Sequence, residues 1–124
     1  MIHRHRTVHE AYRSVDFDAR VRGAAPAELV HVCYEHLVGA LGTAVHAEGL
    51  GDNALKSRSM TRALTAITAL RMGVSGEGGV AEALRHMYES ARRTILDSAI
   101  AFDAHRVGAL RDDFLEIASA MRVN

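Results

Sequence analysis

The chain has no tryptophan, a single cysteine, a single proline and only 5% aromatic residues. Each scarcity excludes something. One cysteine, Cys33, rules out an internal disulfide, and its place in an apolar helical pattern makes it a small core residue rather than a nucleophile. With 48% apolar residues but so few aromatics, the core has to be built from Ala, Leu, Val, Ile and Met. That mixture suits closely packed helices better than a sheet, which draws on β-branched and aromatic side chains. An excess of either charge is missing too: 15 basic residues balance 15 acidic ones. No net field therefore steers the chain towards nucleic acid or an anionic membrane. The basic opening Met1-Ile2-His3-Arg4-His5-Arg6 leads into polar residues, so it is neither a signal peptide nor a membrane span. The expectation is a cytoplasmic protein with no membrane insertion and no nucleic acid partner.

What is present is one domain's length, 124 residues, large enough to bury roughly two thirds of its unfolded surface. Residues 1–24 show no helical period and read as a flexible N-terminal arm; residues 25–124 read as the body. Pro26 suits the first turn of a helix, where its missing N–H costs nothing, and Glu28 lies where the helix dipole favours an anion. From there Leu29, Cys33, Leu37, Ala40, Leu41, Ala44 and Val45 recur at helical spacing over about residues 26–48, until Gly49 and Gly51 stop the helix. Asp52 or Asn53 can cap a second helix over about residues 53–72, with Met60, Ala63, Leu64, Ile67 and Leu70 on its stripe and Gly73 at its end. The glycine-rich stretch from Gly73 to Gly79 is a loop. A third stripe runs Val80, Leu84, Met87, Ala91, Ile95, Ala99 and Phe102. The phase resets around Asp103, which can cap a fourth helix carrying Val107, Leu110, Phe114, Ile117 and Met121. Four helices with short connections predict an all-α, antiparallel up-and-down four-helix bundle with a flexible N-terminal arm.

The sequence offers little chemistry. Eight histidines invite a metal site, but His3 and His5 fall on the arm, His31 and His36 are five apart, and His46, His86 and His105 are scattered. There is no His-Glu-x-x-His and no cysteine pair, so neither a metal nor another cofactor is expected. Gly76-Glu77-Gly78-Gly79 lacks the strand and the Gly-Lys-Ser/Thr of a phosphate loop, and Glu77 would repel a phosphate. A phosphotransfer module is a further reading, because His36-Leu37-Val38-Gly39 loosely matches a phosphorelay histidine, though Val38 stands near where that motif needs a lysine. No catalytic machinery assembles from these spacings, and the chain is not expected to be an enzyme. A helical bundle with an aromatic-bearing arm fits a binding module, in which the arm covers an apolar groove until a partner helix or extended peptide replaces it.

Three groups of residues carry a family resemblance. Ala11-Tyr12-Arg13-Ser14-Val15 precedes Ala25-Pro26-Ala27-Glu28-Leu29 and Cys33-Tyr34-Glu35, and farther on come Gly78-Gly79, Leu84 with Tyr88, Arg92-Arg93 and Ala99. In order and spacing, from about residue 11 to 121, this resembles the FliS family of flagellar export chaperones. Ala25 stands where that family usually has a capping Ser, Glu35 where it has Asp, and the tryptophan common near its C-terminus is missing. The resemblance implies a chaperone that binds the C-terminal segment of flagellin, prevents premature polymerisation and assists flagellar type III export. Its implied partners are flagellin and components of the flagellar export apparatus; monomer and homodimer both stay open. On this basis the partner-binding residues are expected to be Tyr12 and Val15 as the cover, with Tyr34, Leu37, Leu64, Ile67, Leu84, Met87 and Tyr88 lining the groove. The alternative is a helix-bundle interaction or regulatory module that binds another amphipathic helix.

Overall fold

A computed structural model describes residues 26–123, so the expected arm, with Tyr12 and Val15, lies outside the described residues. Four helices make up the described chain: α1 (Pro26–Leu50), α2 (Asn53–Met72), α3 (Gly79–Ile100) and α4 (Ala104–Val123). Packing divides the chain between Val32 and Cys33. The described part of the first unit is the opening of α1; the second unit carries the rest of α1 and the other three helices, a four-helix bundle. Each helix begins close to the position its sequence dictates. Pro26 opens α1 with Glu28 in the first turn, where a carboxylate opposes the helix dipole.

The link between α1 and α2 shows how much two residues can do. Gly51 N–H donates to the Glu48 carbonyl at 3.1 Å and Asp52 N–H to the Ala47 carbonyl at 2.9 Å, the paired bonds of a Schellman stop. Gly51 has φ +71°, a conformation that a Cβ disfavours. Asp52 then accepts the Leu55 N–H on Oδ1 at 3.0 Å and so caps α2. One aspartate thus closes one helix with its backbone and opens the next with its side chain. Gly49, in contrast with the sequence expectation, lies inside α1. A helical glycine costs only about 1 kcal/mol, so termination falls at the position that needs positive φ. Asp52→Ala is expected to lower the unfolding free energy by about 1 kcal/mol, and Gly51→Ala by about 1–2 kcal/mol, in urea titrations.

The remaining junctions follow the same logic. Gly73 N–H bonds the Ala69 carbonyl at 3.0 Å to end α2, and Asp103 Oδ1 accepts the Arg106 N–H at 3.1 Å to start α4. Arg85 reaches back from α3 to the Gly76 carbonyl and ties down the glycine-rich loop.

Contacts between α2 and α3 run in opposite order along the two helices. Lys56 near the start of α2 meets Phe102 just past the end of α3, and Arg71 near the end of α2 meets Glu89 in the middle of α3. α1 approaches α4 where Gly42 faces the Arg111 side chain. The core is built of Cys33, Tyr34, Leu37, Leu41, Ile67 and Phe114, with small residues such as Ala44, Ala63, Ala66 and Ala91 letting the helices close together. Two serines, Ser59 and Ser98, are buried with them.

The buried stripe of α3 is rotated from the expected one. Tyr88, Ala91, Ile95 and Ser98 are buried, whereas Val80 is 78% exposed and Ala99 is exposed. Spacings of three, four and three centre this face one position away from Met87 and Ala99. Those two residues flank the core instead of filling it, and this places α3 between two grooves.

Candidate functional site

The centre of the bundle is an aromatic cluster. Tyr34 and Tyr88 meet edge to face with ring centroids 6.3 Å apart, and Phe114 packs against them at 5.5 Å and 6.3 Å. The two phenol oxygens are 2.9 Å apart and hydrogen-bond to each other, which satisfies both polar tips in an apolar interior. Burial pushes the Tyr34 phenol well above its ordinary value, and both the hydrogen bond and the charge of Tyr88 add to the rise. Burial also raises Tyr88, against the opposing effect of its bond with Tyr34, and raises the neighbouring Cys33 thiol. The folded chain therefore holds these protons after the unfolded chain has released them. Stability from these groups is fully present below about pH 8.5, where free thiols begin to ionise. It falls more steeply above about pH 10, by up to about 1.4 kcal/mol per pH unit for each retained proton. Denaturant midpoints measured from pH 7 to 11 are expected to trace this decline.

Outside the core, an open groove of about 410 Å³ runs between α2 and α3. Met60 and Leu64 supply one wall; Ile95, Leu96 and Ile100 supply the other, with Phe102 at the end. Leu96 is 36% and Ile100 89% exposed. The Lys56 ammonium lies 5.0 Å from the Phe102 ring centroid and pairs with Glu48 at 2.7 Å. This end is thus held by a cation–π contact and an ion pair, with Lys56 lying over apolar surface. At the far end of α2, Glu89 of α3 sits between Arg71, Arg92 and Arg93 at 3.0, 3.6 and 3.5 Å. A second groove, of about 460 Å³, lies on the other flank of α3 against α4.

The expected partner-binding residues fall in different places. Leu64 lines the α2–α3 groove and Met87 the α3–α4 groove. Tyr34, Leu37, Ile67 and Tyr88 are buried in the core, and Tyr34 and Tyr88 are directly joined. Leu84 is half-buried and lines neither groove; Tyr12 and Val15 lie outside the described residues. His36, the residue of the phosphotransfer reading, is half-buried on α1. Leu96 and Ile100 line the α2–α3 groove as well, although the sequence expectation does not include them. The signal was there: an apolar pair four apart, one step off the core stripe, marks a second apolar face on the same helix.

The α2–α3 groove offers apolar surface and helix edges but no convergent acid, base or nucleophile. Among the described residues, no three His, Cys, Asp or Glu side chains converge as a metal site would require, and no helix is long and apolar enough to cross a membrane. Such a surface can bind an apolar helix face. No curated protein matches the chain. A family model does, that of the flagellar protein FliS, over residues 8–122. With nearly the whole chain matched and a four-helix architecture to accompany it, the protein belongs to the FliS family of flagellar chaperones.

Proposed function

We propose that this protein is a cytoplasmic export chaperone that binds the C-terminal segment of flagellin, holds it back from premature polymerisation and assists its delivery to the flagellar export apparatus. The observation that carries the reading is the α2–α3 groove in a member of the FliS family. It leaves Leu96 and Ile100 beside the half-buried Leu64 as an apolar strip open to a helix. A flagellin terminus is disordered alone and helical in the filament, so a groove that accepts an amphipathic helix competes for the surface used in polymerisation. Ordering the segment costs entropy that the buried apolar area has to exceed. Release then requires only a competing partner or the pull of export.

The test is binding of the last ~50 residues of a flagellin from the same cell, a length that a disordered tail can wrap around a small bundle. Calorimetry is expected to give a Kd on the order of 1 µM or tighter, with helix forming in the flagellin segment on binding. Absence of binding would overturn the reading and leave a bundle that serves some other amphipathic helix.

A further inference from the structure

We infer that the groove between α3 and α4 is a second docking site, one that accepts an amphipathic helix with Lys or Arg along its flank. The floor is apolar: Met87 of α3 and Leu110 and Ile117 of α4 are half-buried there, with Ala91 and Phe114 of the core beneath them. It extends over residues 86–94 and 110–117, about 12 Å of each helix. That length accommodates anchors at i, i+3 or i+4, and i+7 of one docked helix.

The rims decide which helix. On the α4 side stand Asp113 and Glu116, three apart on one helix face and both exposed. Neither side chain makes an ion pair or hydrogen bond among the described residues. The α3 side carries His86, Ser90 and Thr94 and no carboxylate, and the Thr94 hydroxyl is turned to the Ser90 carbonyl at 3.2 Å. Two carboxylates that are unpaired among the described residues, beside an apolar floor, repel an acidic helix and attract a basic one. The α2–α3 groove has no carboxylate in its lining; its one charged side chain, Lys56, is paired with Glu48. The acidic rim therefore belongs to the α3–α4 groove and not to the other one. The inference holds for any occupant of the α2–α3 groove that does not also cover the α3–α4 groove.

Two synthetic helical peptides test it. They share one Leu and Ala stripe and differ in carrying Lys or Glu on the flanks; each is titrated into the full chain by calorimetry, with amide NMR shifts locating the contact. The Lys-flanked peptide is expected to bind about 10-fold or more tightly than the Glu-flanked one, and to shift amides in residues 86–94 and 110–117. In the Asp113→Lys/Glu116→Lys variant the preference is expected to reverse. Both substituted side chains are exposed, and circular dichroism verifies that the bundle remains folded. Ile100→Asn, in the other groove, should leave the Lys-flanked peptide's affinity unchanged. Equal affinities, no binding of either peptide, insensitivity to the charge reversal, or shifts centred on residues 56–64 and 95–100 would each overturn the proposal. So would competitive displacement of the Lys-flanked peptide by a flagellin C-terminal segment, because a single client would then cover both grooves.

Discussion

Phe114→Ala is expected to remove about 3–5 kcal/mol of stability, a large share of the ~5–15 kcal/mol that holds a domain of this size together. The phenyl ring is fully enclosed and touches both Tyr34 and Tyr88. Its loss leaves a cavity that helices fixed by neighbouring alanines cannot close, and it removes two aromatic contacts at once. Thermal unfolding should show a fall in Tm on the order of 10–20 °C. The tyrosine hydroxyls behave differently. Tyr34→Phe or Tyr88→Phe alone strands the partner's buried hydroxyl and should cost about 1–3 kcal/mol, whereas the double replacement is expected to be nearly neutral. A double-mutant cycle in urea measures this non-additivity. Strictly additive losses would show that the two hydroxyls do not satisfy each other.

Ile100→Asn should weaken binding of the flagellin segment by about 10–100-fold, the free energy of covering one large aliphatic side chain. Ile100 is almost entirely exposed at the end of α3, so the same change should alter folding stability by no more than about 0.5 kcal/mol. Val80 supplies the control: it is also highly exposed, but it lies at the opposite end of α3 and outside the groove. Val80→Asn is expected to leave affinity unchanged. Equal effects at the two positions would mean that the α2–α3 groove is not where the client binds.

Helix boundaries were legible because they depend on local chemistry. Pro26, Asp52, Gly73 and Asp103 each act within one turn of their own position. Gly49 misled, because composition does not reveal which glycine of a pair adopts positive φ. The direction in which each helix faces was less legible. On α3 the expected stripe through Met87 and Ala99 mixed core positions with their neighbours, while the buried line passes through Tyr88 and Ser98. Periodicity locates an apolar face to within about one position, or roughly 100° of helix rotation, and that margin separates a core residue from a groove residue. Tyr34, Leu37, Ile67 and Tyr88 fall on the core side of it, Leu64 and Met87 on the groove side. A helix packed on both flanks adds a further difficulty. Leu96 and Ile100 resemble ordinary apolar residues until the position of α2 is known.

The paired phenols at the centre of the bundle also have a spectroscopic consequence. Without tryptophan, the chain's near-ultraviolet signal comes mainly from its three tyrosines, and two of these, Tyr34 and Tyr88, share one hydrogen bond in a dry interior. Their emission and ellipticity thus monitor the integrity of the packed centre. A docked helix that carries a tryptophan adds a chromophore the protein lacks, so tyrosine signals report folding while the tryptophan reports docking, on the unmodified protein.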